Sequence, residues 1–178
     1  MKKLIFTLVA SATMLFTGCD MSEEQLIVTA NTTGRIALLT WFAVDNPDTA
    51  VKSGLRVVIG SIEKASVDVG SGKTYLESVL PEIQAMIVQM HDINEYQKEL
   101  INIGSVLVLN GIDTYLDNNP DIKTNVELVN KVVAAFCGGC LDVLKKEEND
   151  PEVMRARGVY QLRSMKCRNG KFVAPDAK

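Results

Sequence analysis

Two cysteines separated by two glycines are the residues best suited to chemistry in this chain. Cys137 and Cys140 could form a redox dithiol, contribute half of a zinc site, or bond to cysteines elsewhere. A redox dithiol needs a thiol of lowered pKa at a helix N-terminus, whereas this pair comes late in a helical pattern. Zinc needs four ligands, and besides Cys19 only Cys167 and the single histidine, His91, remain. We therefore expect neither a metal site nor a cofactor.

The other chemical motifs have structural explanations. Residues 70–74, Gly-Ser-Gly-Lys-Thr, resemble the end of a phosphate-binding P-loop, but Val67 stands where that motif needs its first glycine. A helical pattern also precedes the segment, where a P-loop follows a strand, so we predict a loop between helices. His91 lies at a predicted helix boundary and is expected on the surface. Because the sequence shows no catalytic constellation, we predict that the protein is not an enzyme.

Helical patterns account for most of the chain. Residues 22–25 and 74–77 have the spacing of capping boxes, in which two side chains satisfy each other's backbone donors at a helix start. Asn46 is expected to cap the second helix, with Pro47 in its first turn, and Thr124 to cap the fifth. The patterns predict helices at about 23–44, 47–66, 75–90, 95–117, 125–144 and 151–165.

Several features predict how these helices pack. Residues 36–44 are apolar nearly all round, which predicts that the first helix is central and buried. Gly104, Ser105 and Gly111 would allow a neighbouring helix to approach the fourth helix closely. Pro81 is expected to kink or split the third helix.

Two similar turns suggest an internal repeat. Residues 45–48 (Asp-Asn-Pro-Asp) and 117–121 (Asp-Asn-Asn-Pro-Asp) each join an apolar helix end to a further helix. This predicts two αα-hairpins built alike, followed by a C-terminal helix. No segment alternates with period two over a useful length, so no strand is predicted. The predicted fold class is all-α, a compact bundle of five to seven helices.

The first twenty residues indicate export. Lys2 and Lys3 precede an apolar run at 4–16, as in a secretory signal. As a helix this run would cover roughly 20 Å, whereas the hydrocarbon core of a bilayer is about 30 Å thick. The sequence Phe16-Thr17-Gly18-Cys19 resembles the lipobox of bacterial lipoproteins, with Phe16 at the position where that family usually has leucine.

The resemblance implies that residues 1–18 are removed and that Cys19 becomes the first residue and carries lipid. Mature proteins of that family carry at least two acyl chains, such as palmitate, which anchor stably where one chain would not. Asp20 is similar to the signal that retains lipoproteins in the inner membrane of enteric bacteria, with the protein facing the periplasm. The predicted organisation is a signal peptide at 1–18, a lipid anchor and short tether at 19–21, a helical domain at 22–166 and a basic C-terminal tail at 167–178.

Export to an oxidising compartment favours a disulfide. Once Cys19 is lipidated, three cysteines remain, and we predict a structural bond from Cys167 to Cys137 or Cys140. Three alternatives stay open. They are unpaired buried thiols, a redox role, and a bond between Cys137 and Cys140 that leaves Cys167 for another chain.

Charge is distributed unevenly along the chain. The net charge is −3 at pH 7, yet residues 151–178 carry seven bases and only two acids. The acidic remainder offers no general attraction to nucleic acid. The basic segment is either a solvated helix face and tail or a contact for anionic lipid headgroups or an acidic envelope protein. Its candidate residues are Arg155, Arg157, Arg163, Lys166, Arg168 and Lys171.

These observations predict a membrane-anchored lipoprotein that acts as a non-enzymatic interaction module of the cell envelope. Small lipoproteins of bacteria and phages resemble this organisation, which is a likeness of fold alone. A first alternative is a periplasmic thiol–disulfide protein, which needs an exposed thiol of low pKa at Cys137 or Cys140. A second is a binder of hydrophobic ligands between helices, which needs a roomy apolar pocket.

Overall fold

The computed structural model describes residues 21–65 and 73–148 and two short strands at 166–168 and 171–173. The predicted all-α bundle is confirmed. Its elements are α1 (Glu23–Asp45), α2 (Thr49–Lys64), α3 (Tyr75–Val88), α4 (Glu95–Asn118), a 3-10 helix (Pro120–Thr124) and α5 (Val126–Glu148). The chain divides into two compact units, Met1–Leu144 and Lys145–Lys178. The predicted helical domain at 22–166 stays a prediction, because residues 149–165 lie outside the described residues.

Helix α4 is the centre of the helical unit, where it packs against α1, α2 and α3. A Cβ atom at Gly104 would lie 2.8 Å from Cδ2 of Leu55, and one at Gly111 would lie 2.7 Å from Cζ of Phe136 in α5. Ser105 is buried, and its hydroxyl donates to the carbonyl of Ile101 at 2.6 Å. The predicted close approach along this helix is therefore confirmed.

Helix α1 is not the central, buried helix that its apolar second half predicts. Trp41 and Leu38 are buried on its inner face, but Ile36, Leu39 and Val44 are exposed. A helix at the edge of a bundle buries only one face, and an apolar outer face does not by itself bring a second neighbour.

Side-chain bonds between helices define their directions. The hydroxyl of Tyr115, near the end of α4, donates to the carbonyl of Leu26, near the start of α1, at 2.7 Å. At the opposite end, Nε2 of Gln97 at the start of α4 donates to Asp48, which precedes α2, at 2.7 Å. Helices α1 and α4 are therefore antiparallel, and the start of α1 lies beside the end of α4.

The two predicted capping boxes form at Ser22 and Thr74, and the structure adds a third at Asn94. Ser22, Thr74 and Asn94 each accept from the backbone three residues on, where a Gln or Glu side chain returns the bond. Helix α3 continues through Pro81 without being split. All of these features depend on residues within one or two turns of each other, which is why the sequence predicts them well.

Two helix starts differ from the prediction. Asn46 does not cap α2, because it adopts a left-handed conformation (φ 38°) and its N–H donates to Phe42 to end α1. Asp48 caps α2 instead, and the bond from the N–H of Val51 lowers the pKa of its carboxyl. Asn125, not Thr124, caps α5 by accepting from the N–H groups of residues 127 and 128. The hydroxyl of Thr124 is used by the 3-10 helix, where it donates to Asp121.

The two predicted αα-hairpins are not built alike. The first closes through residues 46–48 with the left-handed Asn46, whereas the second contains the 3-10 helix Pro120–Thr124. The second compact unit contains two strands, β1 (Lys166–Arg168) and β2 (Lys171–Val173), that pair antiparallel. Three residues are too few to show an alternating pattern in the sequence. The predicted loop around residue 70 and helix at 151–165 lie outside the described residues.

Asp113 ties α3 to the central helix. Its two carboxylate oxygens accept from the backbone N–H groups of Tyr75 at 2.7 Å and Leu76 at 3.0 Å, at the start of α3. These donors have no partner within their own helix. Burial raises the pKa of the Asp113 carboxyl, and the two backbone bonds only partly offset that shift. Asp113 lies 38 positions after Tyr75 and 37 after Leu76, so no local sequence pattern predicts this cap.

Replacing Asp113 with asparagine tests this cap. Asparagine has one acceptor oxygen for two donors, so we expect a loss of about 1–3 kcal/mol in the free energy of unfolding.

The titration of Asp113 also makes stability depend on pH. Folding raises the pKa of this carboxyl above its ordinary value of 3.8. The resulting stabilisation is complete at a pH below 3.8, and it is lost as the pH rises through the folded pKa. Urea unfolding against pH should show that decline in the wild type and not in Asp113→Asn. Exposed Asp92→Asn is the control, and a decline that persists in Asp113→Asn would contradict the assignment.

Candidate functional site

The predicted lipidation site precedes the described residues. Cys19 and Asp20 lie outside them, but the structure fixes where the first helix begins. The N–H of Ser22 donates to the side chain of Gln25 at 2.9 Å, and the Ser22 hydroxyl accepts in return, so α1 starts at Glu23. The helical unit therefore begins four residues after Cys19.

The outer face of α1 carries apolar and uncharged side chains. At 3.6 residues per turn, Val28, Thr32, Ile36, Leu39 and Ala43 fall within about 80° of the helix circumference. All five are exposed, with Val28 at 65 %, Leu39 at 52 % and Ile36 at 39 %. At about 1.5 Å per residue the row is roughly 22 Å long. We call these five residues the α1 outer face.

Charged groups lie beside this face or at its ends. Arg35 is the only charged residue between Glu24 and Asp45, and it is partly buried. A Cβ atom at Gly139 of α5 would lie 3.2 Å from Cγ of Arg35, which places the stem of this side chain against α5. None of the five residues of the α1 outer face is charged, and the nearest charge on α1 belongs to the partly buried Arg35.

The N-terminal end of α1 is more acidic. Lys131 of α5 bonds to Glu23 at 2.8 Å and to Glu127 at 2.9 Å, and these carboxylates raise its pKa. Glu24 and Asp121 are further exposed acids on elements that meet at this end. This end of the bundle would meet an anionic surface less favourably than the α1 outer face.

The Cys-Gly-Gly-Cys motif forms a close helix crossing between α1 and α5. A Cβ atom at Gly139 would lie 2.0 Å from the carbonyl oxygen of Asn31, and one at Gly34 would lie 2.1 Å from that of Phe136. The thiol of Cys140 donates to the carbonyl of Gly34 at 3.2 Å. The motif therefore has a packing role that its spacing does not reveal, because the partner residues lie more than 100 positions earlier.

Both thiols of this motif are buried and free. Burial raises the pKa of the Cys137 thiol to about 12, and it raises that of Cys140 well above its ordinary value. A redox dithiol needs the opposite, an accessible thiol of lowered pKa. The side chain of Cys167, in β1, lies outside the described residues, so a disulfide from Cys167 to either residue stays a prediction.

Thiol labelling tests this burial. In the native protein we expect a maleimide to leave Cys137 and Cys140 unmodified, because reaction requires the crossing to open. In denaturant without reductant, peptide mapping reports the pairing, because label on both residues marks two free thiols. Labelling of only one of them would identify the predicted disulfide to Cys167. Rapid labelling of Cys140 in the native protein would contradict its burial.

The basic candidates lie in the second compact unit. Arg155, Arg157 and Arg163 are outside the described residues. Lys166, Arg168 and Lys171 are strand residues, and Arg168 stands opposite Lys171 in the register of the two strands. A site for headgroups or an acidic partner at these residues stays a prediction.

The remaining polar and aromatic candidates are separated from one another. His91 is exposed in the turn between α3 and α4, as predicted. Trp41, Tyr75 and Tyr115 are core residues, whereas Tyr96 is largely exposed. Within the described residues, no three His, Cys, Asp or Glu side chains are placed to hold a metal ion. The α1 outer face is the surface that the sequence pattern missed. The available signal was the scarcity of charge between residues 25 and 44, where Arg35 is the one charged residue.

Comparison with protein-family models, curated proteins and solved structures finds no match to this chain. Among the helices that the structure describes, none combines the length and apolar character needed to cross a bilayer.

Proposed function

We propose that the protein is exported, loses residues 1–18 and is held on the periplasmic face of the membrane by lipid on Cys19. There it acts as a non-enzymatic interaction module of the cell envelope. Asp20 favours the inner membrane. The bundle presents its surfaces to partners within a short distance of the bilayer.

One observation carries the proposal. The lipobox-like sequence ends at Cys19, and the capping box of Ser22 starts α1 at Glu23. Three residues separate the cysteine from the helix, so the Cα atoms of Cys19 and Glu23 are at most about 14 Å apart. A flexible spacer is therefore absent from the proposed tether, and the helical unit would stay near the headgroups.

The alternatives receive less support from the described residues. The burial and raised pKa of Cys137 and Cys140 do not favour a thiol–disulfide activity. The side chains of Leu55 and Phe136 occupy the space beside Gly104 and Gly111 on the central helix. This close packing does not favour a ligand between these helices. Contact of the basic residues near Lys166 with headgroups or an envelope protein remains part of the proposal.

Metabolic labelling with a clickable palmitate analogue tests the anchor. We expect the wild type to incorporate the label and Cys19→Ser to lose it. Cys167→Ser is the matched control, because it removes another cysteine and should keep full labelling. An unlabelled wild type, or loss of label only in Cys167→Ser, would overturn the proposed anchor.

A further inference from the structure

We propose that the α1 outer face, formed by Val28, Thr32, Ile36, Leu39 and Ala43, rests on the lipid bilayer and fixes the orientation of the bundle. This inference rests on the proposed lipid anchor at Cys19. It adds a second membrane contact, along the side of the first helix, and it identifies the bilayer as the surface that covers this face.

The tether places the face within reach of the bilayer. The Cα atoms of Cys19 and Glu23 are at most about 14 Å apart, and Val28 lies roughly 8 Å along the helix axis from Glu23. Val28 therefore lies within about 22 Å of the anchored residue in any orientation of the bundle, and much nearer the bilayer when α1 lies flat. If α1 lies flat, the whole row from Val28 to Ala43 meets the interface.

The chemistry of the face fits the interfacial region. Helices that lie on a membrane bury an apolar side about 5–10 Å into the boundary between headgroups and acyl chains. The branched side chains of Val28, Ile36 and Leu39 are exposed, and Thr32 and Ala43 between them are small and uncharged. The row itself contains no charged residue, so no ion within it has to lose its hydration, and Arg35, the nearest charge on α1, is partly buried with its stem against α5.

The alternative orientation is less favourable. Standing on its N-terminal end, the bundle would bring the exposed acids Glu24 and Asp121 toward the headgroups, while the lysines of this end, Lys123 and Lys131, are paired with Asp117, Glu23 and Glu127. Anionic lipids repel such acids. A protein partner or a second copy would also cover an apolar face, and the bilayer is favoured here because the proposed anchor at Cys19 holds α1 beside it.

Tryptophan fluorescence of the lipidated protein tests this orientation. The only tryptophan, Trp41, is buried and gives a constant background. Leu39→Trp places a reporter on the face, and Val57→Trp on α2 is the control, since Val57 is 56 % exposed. Each protein is reconstituted into vesicles of phosphatidylethanolamine and phosphatidylglycerol with brominated acyl chains. Intact mass confirms the acyl chains, and the Cys19→Ser form of each variant is measured beside it.

We expect the Leu39→Trp reporter to shift to the blue, to be quenched by the brominated chains and to lose quenching by aqueous acrylamide. Val57→Trp should keep acrylamide quenching. If acylated Leu39→Trp behaves like Val57→Trp, the orientation is overturned while the anchor stands. If the mass shows no acyl chains, the anchor fails and the orientation fails with it. A blue shift without vesicles in the Cys19→Ser form, together with a dimer mass, would assign the face to a second copy and overturn the inference.

Discussion

Gly139→Ala is expected to destabilise the bundle by about 3 kcal/mol, the upper part of the range for overpacked cores. The added methyl would lie 2.0 Å from the backbone oxygen of Asn31, a contact that only a shift of α1 against α5 could relieve. Gly34→Ala creates the reciprocal clash, 2.1 Å from the oxygen of Phe136, and should cost a similar amount. A loss of this size lowers the melting temperature by roughly 10 °C in a domain of this length.

The adjacent glycine supplies a matched control. A Cβ atom at Gly138 would have its nearest neighbour at 3.7 Å, the side-chain nitrogen of Asn31, which is an ordinary contact. Gly138→Ala should therefore be neutral or stabilising by up to about 1 kcal/mol, because alanine favours the helix. Thermal unfolding followed by circular dichroism compares the three variants. Equal melting temperatures for Gly138→Ala and Gly139→Ala would contradict the close crossing.

Cys19→Ser is expected to move the protein from the membrane fraction to the periplasmic fraction. The acyl chains supply the stable attachment, and the exposed apolar row on α1 is too short to replace two chains. The helical unit should remain folded, since its core is formed by residues of α1 to α5. Fractionation after osmotic shock measures the release, and circular dichroism of the released form measures helix content and melting temperature.

Two results would count against this expectation. Retention of Cys19→Ser in the membrane fraction would mean that another segment supplies the attachment. Aggregation of the released protein would mean that the bundle depends on the bilayer to cover an apolar surface. The double variant with Cys19→Ser and Leu39→Glu tests whether the α1 outer face causes that aggregation. If it does, the charged side chain should keep the released protein from aggregating.

The sequence predicts the local features of this fold well. The capping box at Ser22 depends on a residue three positions away, and the buried stripe of α2 follows from helical periodicity. The small residues of α4 also predict its close packing. Each of these properties is determined within a few turns of one helix, so the pattern contains the necessary information.

The remaining features depend on which helices meet. Asp113 caps α3 from another helix, and the glycines beside Cys137 and Cys140 accommodate α1, so neither role is visible locally. The apolar second half of α1 suggested burial on all sides, although Leu39 faces outward. Sequence patterns report which residues are apolar, and they do not report how many neighbours a helix has.

The most direct test of the lipid-anchored bundle is the intact mass of the protein purified from membranes in detergent. The account predicts a mass equal to residues 19–178 plus at least two acyl chains, located on Cys19 by fragmentation. A mass equal to the whole chain from Met1, or to an unmodified chain of any length, would contradict it.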